Sequence, residues 1–100
     1  IGGLKISEPA ADLAIATAIA SSVRDIPVRA DTVLIGEIGL SGELRMVGQM
    51  PSRLYEASKL GFKTAVVPKR LRKGENWPDG INIIEVRSLR EALKKALVEQ

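Results

Sequence analysis

Apolar positions along the chain fall into blocks whose period switches between helical and extended. From Ala10 to Val23 the larger residues Leu13, Ile15, Ile19 and Val23 stand among Ala10, Ala11, Ala14, Ala16, Ala18 and Ala20. Alanine has the highest helix propensity and allows close approach to a neighbouring layer, so this block reads as a core helix. Ser7-Glu8-Pro9 supplies a capping side chain and an early proline whose missing N–H costs nothing there, and Asp25-Ile26-Pro27 ends the helix. Thr32 to Ile38 is β-branched and apolar, Gly39 to Gly42 is a turn, and Glu43 to Val47 alternates as a returning strand, which predicts a hairpin. Ser52 to Leu60 carries Leu54, Ala57 and Leu60 at helical spacing with Gly61 just past its end. Lys63 to Val67 predicts a short buried strand stopped by Pro68, and Ile81 to Val86 another. Ser88 to Val98 predicts a closing amphipathic helix with Leu89, Ala92, Leu93, Ala96 and Leu97 inward.

The order helix, hairpin, helix, strand, strand, helix predicts an α/β domain with a mixed sheet. The chain of 100 residues suffices for one compact domain, 1–100, and shows no repeat, linker or low-complexity tract. Ile1-Gly2-Gly3-Leu4 reads as the tail of a strand that begins earlier, so an upstream N-terminal strand is expected. No signal or transit pattern opens the chain, and no apolar run approaches the roughly 18 residues that a membrane span needs.

The absence of cysteine and histidine narrows the chemistry. It excludes disulfides, thiolate zinc sites, a cysteine nucleophile and the usual general base, and it fits a cytoplasmic protein. No Gly-rich phosphate loop is present, so no nucleotide or other cofactor site is expected in this chain. The net charge of +3 is mild, but Lys59, Lys63, Lys69, Arg70, Arg72 and Lys73 follow one another with no acid between them. Such a run is either a solvated loop or a patch that attracts phosphate backbones. Tyr55, Phe62 and Trp77 are too few and scattered for a base-stacking platform, and Trp77-Pro78-Asp79-Gly80 reads as a turn with an anchoring aromatic.

Three segments in order carry a resemblance. They are Ser7-Glu8-Pro9-Ala10-Ala11-Asp12 opening the Ala-rich helix, Pro27-Val28-Arg29-Ala30-Asp31 leading to Gly36-Glu37-Ile38-Gly39-Leu40-Ser41-Gly42, and Ala57-Ser58-Lys59-Leu60-Gly61-Phe62-Lys63 followed by Val66-Val67-Pro68. Together they resemble the proteolytic domain of Lon proteases across nearly the whole chain. The wording Gly2-Gly3-Leu4-Lys5-Ile6-Ser7-Glu8-Pro9-Ala10-Ala11-Asp12 is similar to the Lon-like C-terminal domain of the RadA/Sms family of bacterial DNA repair proteins in particular. The resemblance implies the Lon proteolytic-domain fold, of the ribosomal protein S5 domain 2-like type. It also implies a hexameric ring, an upstream RecA-like ATPase with a zinc-binding segment, and a cytoplasmic bacterial setting.

Lon-type peptidases use a Ser–Lys dyad, in which a lysine of depressed pKa takes the serine proton. At the matching positions this chain has Ala10 and Arg53. Alanine has no nucleophile, and arginine stays protonated and cannot act as a base. The expectation is therefore no catalytic residues, with the Ser–Lys peptidase disfavoured. The favoured reading is a non-proteolytic oligomerisation and DNA-binding module of a recombination ATPase that processes branched DNA. A purely structural ring scaffold is the remaining alternative.

The residues expected to meet duplex or branched DNA are Lys5, Arg45, Arg53, Lys69, Arg70, Arg72 and Lys73. The plainer reading pairs Lys5 with Glu8 or Asp12, and Arg45 with Glu43 or Glu37, as surface ion pairs of little weight. Asp12 in turn suits the positive end of the first helix, and a bridge from Asp12 to Arg53 is the alternative. For Glu37, contact with a neighbouring subunit or a local N–H is expected rather than catalysis. Ser7 and Ser52 read as a helix cap and a helix-start residue.

Overall fold

The computed structural model describes residues 8–71 and 74–98. The expected strand tail at Ile1–Leu4, the Ser7 cap, Lys5, Arg72 and Lys73 lie outside the described residues. The chain enters through a 3-10 turn, Pro9–Ala11, that runs straight into helix α1, Asp12–Arg24. Asp12 stands in the first turn of α1 and Arg24 in the last, each on the side that the helix dipole favours. Asp25 ends the helix in the left-handed conformation, where its N–H reaches the Ser21 and Ser22 carbonyls.

Next come strands β1 (Thr32–Leu34), β2 (Glu37–Ile38) and β3 (Leu44–Arg45), then helix α2 (Met50–Lys59). Strands β4 (Thr64–Pro68) and β5 (Asn82–Val86) and helix α3 (Leu89–Ala96) complete the order. The Ser88 side chain caps α3 by accepting from the Glu91 N–H.

The sheet differs from the expected mixed one. β1, β4 and β5 form a three-stranded sheet in the order β1-β4-β5, parallel throughout. β2 and β3 form a separate antiparallel ribbon, with Glu37 opposite Arg45 and Ile38 opposite Leu44. The stretch read as one strand from Thr32 to Ile38 is thus broken at Ile35-Gly36. The cause is hydrogen-bond demand from the helix entry: the Gly36 N–H donates to the Ala10 carbonyl and the Leu13 N–H to the Gly36 carbonyl, both at 3.0 Å. Gly36 lies so near Pro68 that a Cβ there would sit 3.1 Å from the proline ring, a tight contact that glycine avoids.

Alternation along the strands sends neighbours to opposite faces. Ala65 and Val67 of β4 join Met50, Leu54 and Ala57 of α2, with Trp77 and Ile81 from the β4–β5 connection. Val66 and Val86 point the other way, to Leu13 of α1 and Ala92 of α3. The fold is a small α/β sandwich with β4 central and both faces of its sheet covered, as parallel sheets require.

Helix α1 departs from its reading as a core helix. Leu13 and Thr17 are fully buried, but Ile15, Ile19 and Val23 are 48%, 59% and 80% exposed. The two sets are offset by two residues, about 200° around a helix, so they cannot share a face.

Candidate nucleic-acid interface

Ala10 and Arg53, the two positions that the resemblance matches to the peptidase dyad, both lie in regular local structure. Ala10 is buried in the 3-10 turn and bonded through its carbonyl to Gly36. Arg53 projects from α2, donates from Nε to the Gly48 carbonyl at 2.8 Å, and pairs through Nη2 with Glu8 Oε1 at 3.2 Å. That ion pair ties α2 to the residue just before the Pro9–Ala11 turn. The Asp12–Arg53 bridge weighed from the sequence does not form. Asp12 Oδ2 accepts instead from the Ile38 N–H at 3.1 Å, fastening α1 to the ribbon.

The ribbon turn is built around one carboxylate. Glu43 accepts from the Ser41 N–H at 3.0 Å and from Arg45 Nη2 at 3.0 Å. Backbone hydrogen bonding, then the Arg45 side chain, holds its carboxyl below the usual carboxylate range. A Cβ on Gly39 would meet the same carboxylate at 2.1 Å, so a side chain there would displace Glu43 from its present position. Arg45 is accordingly in the surface pair with Glu43 that the plainer reading expected.

Arg70 is the most heavily engaged cation. Its guanidinium bonds both Glu85 oxygens, at 3.2 and 3.1 Å, and the Glu75 carbonyl at 3.1 Å. It also lies over the Trp77 ring at 3.8 Å from the centroid. Trp77 is buried and donates from Nε1 to Glu75 at 2.7 Å, as an anchoring aromatic should. Hydrogen bonding from the Arg70 side chain holds the Glu85 carboxyl below its ordinary range. Periodicity gives no sign of this cluster, because its members come from three separate stretches of chain.

Of the seven cations expected at DNA, the structure therefore places Arg45 of β3, Arg53 of α2 and Arg70 of the segment after β4 in ion pairs. Lys69 is exposed and in no ion pair among the described residues. Lys69 and Arg70 line a shallow groove of about 780 Å³ with Leu44, Leu71, Glu85 and Arg87. Arg87, absent from the sequence-based set, is exposed and likewise in no ion pair. Its signal is weak: it is one basic residue just past a strand. Arg70 bonds Glu85 directly and Lys69 acts on the same carboxylate through space, so the described lining sets three cations, Lys69, Arg70 and Arg87, against one acid.

Among the described residues no group of three or more acidic side chains is placed to hold a metal ion, and no helix is long and apolar enough to cross a membrane.

Comparison with known proteins agrees with the motif reading. Over 96% of the chain, the sequence is 47% identical to the DNA repair protein RadA of Listeria monocytogenes. It is 47% identical to the protein of that name from Bacillus subtilis over 96% of the chain, and from Streptococcus pneumoniae over 94%. The chain spans about a fifth of the length of these relatives (21% of the Listeria protein). Residues 2–70 match the family model described as subunit ChlI of Mg-chelatase. Since that match takes in more than half of the chain, the chain belongs to the family so described, as a homologue of the proteins named DNA repair protein RadA.

Proposed function

We propose that this domain is a non-proteolytic module of a DNA repair protein that self-associates and holds duplex DNA through its phosphates. The observation that carries the reading is the groove beside β5, where Lys69, Arg70 and Arg87 outnumber the one acid of the described lining, Glu85, which Arg70 bonds. Lysine and arginine in such a groove suit phosphate contact. With no recognition helix and few aromatics, binding is sequence-independent. The Lon-type fold, a hexameric ring, a preference for branched DNA and an upstream RecA-like ATPase belong to the same proposal. What supports them is the likeness to the RadA relatives together with the motif order along the chain.

The non-proteolytic part is supported by the residues at the dyad positions. Ala10 offers no nucleophile, and the Arg53 guanidinium is committed to Glu8 and Gly48. Incubation with casein is expected to give no cleavage, and serine-directed probes no labelling; labelling of Ser7 or Ser52 would overturn this.

The DNA reading is tested by titrating a labelled duplex into the full chain at several salt concentrations. Affinity is expected to fall by roughly 0.9 log unit per tenfold salt for each phosphate neutralised. Lys69→Ala with Arg87→Ala should flatten that slope by about two phosphates, and Lys5→Ala and Arg45→Ala test the other predicted contacts. A wild-type chain without salt-sensitive binding would leave the structural scaffold as the function.

A further inference from the structure

A second concavity, of about 580 Å³, lies between the end of α1, the Ser41-Gly42 turn and α3. Its apolar lining is Ile26, Leu89, Leu93, Leu97 and Val98. Leu93 and Leu97 are buried, while Ile26 and Leu89 remain half-exposed. Arg24, Arg90 and Lys94 line it as well, all three exposed. Among the described residues none of these cations is in an ion pair and no acidic side chain lines the cavity. Glu91, the acid next to Arg90, is turned to the Arg87 N–H, from which it accepts at 2.8 Å.

Local structure accounts for part of this charge. Arg24 and Lys94 lie in the last turns of α1 and α3, where cations complement the helix dipole. Arg90 has no such reason, because it lies in the first turn of α3, where a cation is unfavourable. Three cations around an apolar floor, one of them at local cost, describe a site for a ligand that is acidic and apolar together.

We propose that this groove docks a segment of another protein that carries an apolar side chain flanked by carboxylates. The apolar group covers Ile26, Leu89 and the edge of Leu93, and the carboxylates take Arg24, Arg90 and Lys94 as partners. Charge complementarity decides the occupant. A phosphate backbone would satisfy the cations and leave the floor wet, whereas an acidic peptide with an apolar anchor matches both. The proposal goes beyond the DNA reading and shares no residue with the Lys69–Arg87 groove.

The test is fluorescence anisotropy on the full chain with a labelled synthetic peptide alternating aspartate and leucine. A control peptide has serine for leucine, and a duplex DNA is titrated separately. The leucine peptide should bind, and the serine control should bind about tenfold more weakly. The exposed double variant Arg90→Glu with Lys94→Glu should weaken the leucine peptide by about tenfold or more, with circular dichroism unchanged. Amide shifts on peptide addition should cluster at the end of α1 and along α3. Equal binding of the two peptides, or a double variant that binds like wild type, would overturn the proposal. So would a peptide that fails to bind while the double variant abolishes self-association, which would make the groove a contact between copies. Loss of duplex binding alone would sink the DNA reading and leave this one standing.

Discussion

Thr17 shows how far one side chain can run against its surroundings. It is fully buried on the inward face of α1, one turn after Leu13, and its hydroxyl has no hydrogen-bond partner among the described residues. A buried polar group left unpaired costs about 1–3 kcal/mol. Thr17→Val keeps the branched shape and removes the hydroxyl, so it should stabilise the fold by about 1 kcal/mol. A higher urea midpoint at unchanged slope checks this, and an equal or lower midpoint would show that the hydroxyl is satisfied. At the same scale, Ala10 and Arg53 could be picked out from sequence because the peptidase pattern marks their positions. The carboxylate that Arg53 takes could not: Glu8 rather than Asp12 holds it, since the Ile38 N–H draws Asp12 to the ribbon.

Between elements, the Arg70–Glu85 pair joins β5 to the segment leaving β4, and Trp77 packs under the same guanidinium. Arginine bonding both oxygens of a partly covered carboxylate is the geometry in which an ion pair contributes measurably. Glu85→Gln should therefore cost roughly 1–2 kcal/mol at neutral pH. The sign with pH follows from the depressed carboxyl. Its contribution is complete above the unfolded-state pKa of a glutamate and disappears as pH falls through the lower folded-state value. Denaturation of wild type and Glu85→Gln across the acid range should show the gap between them closing on acidification; a constant gap would mean that the pair is not its source. Sequence exposed the basic run from Lys69 but not which of its members is consumed internally. Glu85 alternates inconspicuously with apolar neighbours, and its partner lies 15 residues away.

Across the whole molecule, α1 presents Ile15, Ile19 and Val23 to solvent at successive turns of one face. If copies of the chain associate as proposed, this apolar stripe is the surface expected to carry the contact. The wild-type chain should give a molar mass by light scattering that rises with concentration, and Ile19→Asp should reduce it to that of a monomer. Since Ile19 is 59% exposed, the substitution should move the urea midpoint little. A wild-type chain monomeric at every concentration would remove the basis for a ring assembled through α1.

Local patterns determined which elements exist. The alanine-rich block, the β-branched runs and the amphipathic final helix each appear within a few residues of their predicted limits, because propensity and period are properties of neighbouring residues. Ala10 and Arg53 were matched to the peptidase dyad through the resemblance to the Lon pattern, which is likewise a matter of local motifs. Only tertiary structure decided how the strands combine. Pairing direction depends on partners far along the chain, so the predicted strand at Thr32–Ile38 divides at Gly36 between a parallel sheet and a separate ribbon. Only tertiary structure decided, too, which charges are spent. Arg45, Arg53 and Arg70 find carboxylates, while Arg87, Arg90 and Lys94 remain unpaired among the described residues, because a salt bridge depends on approach in space and not on order in the chain.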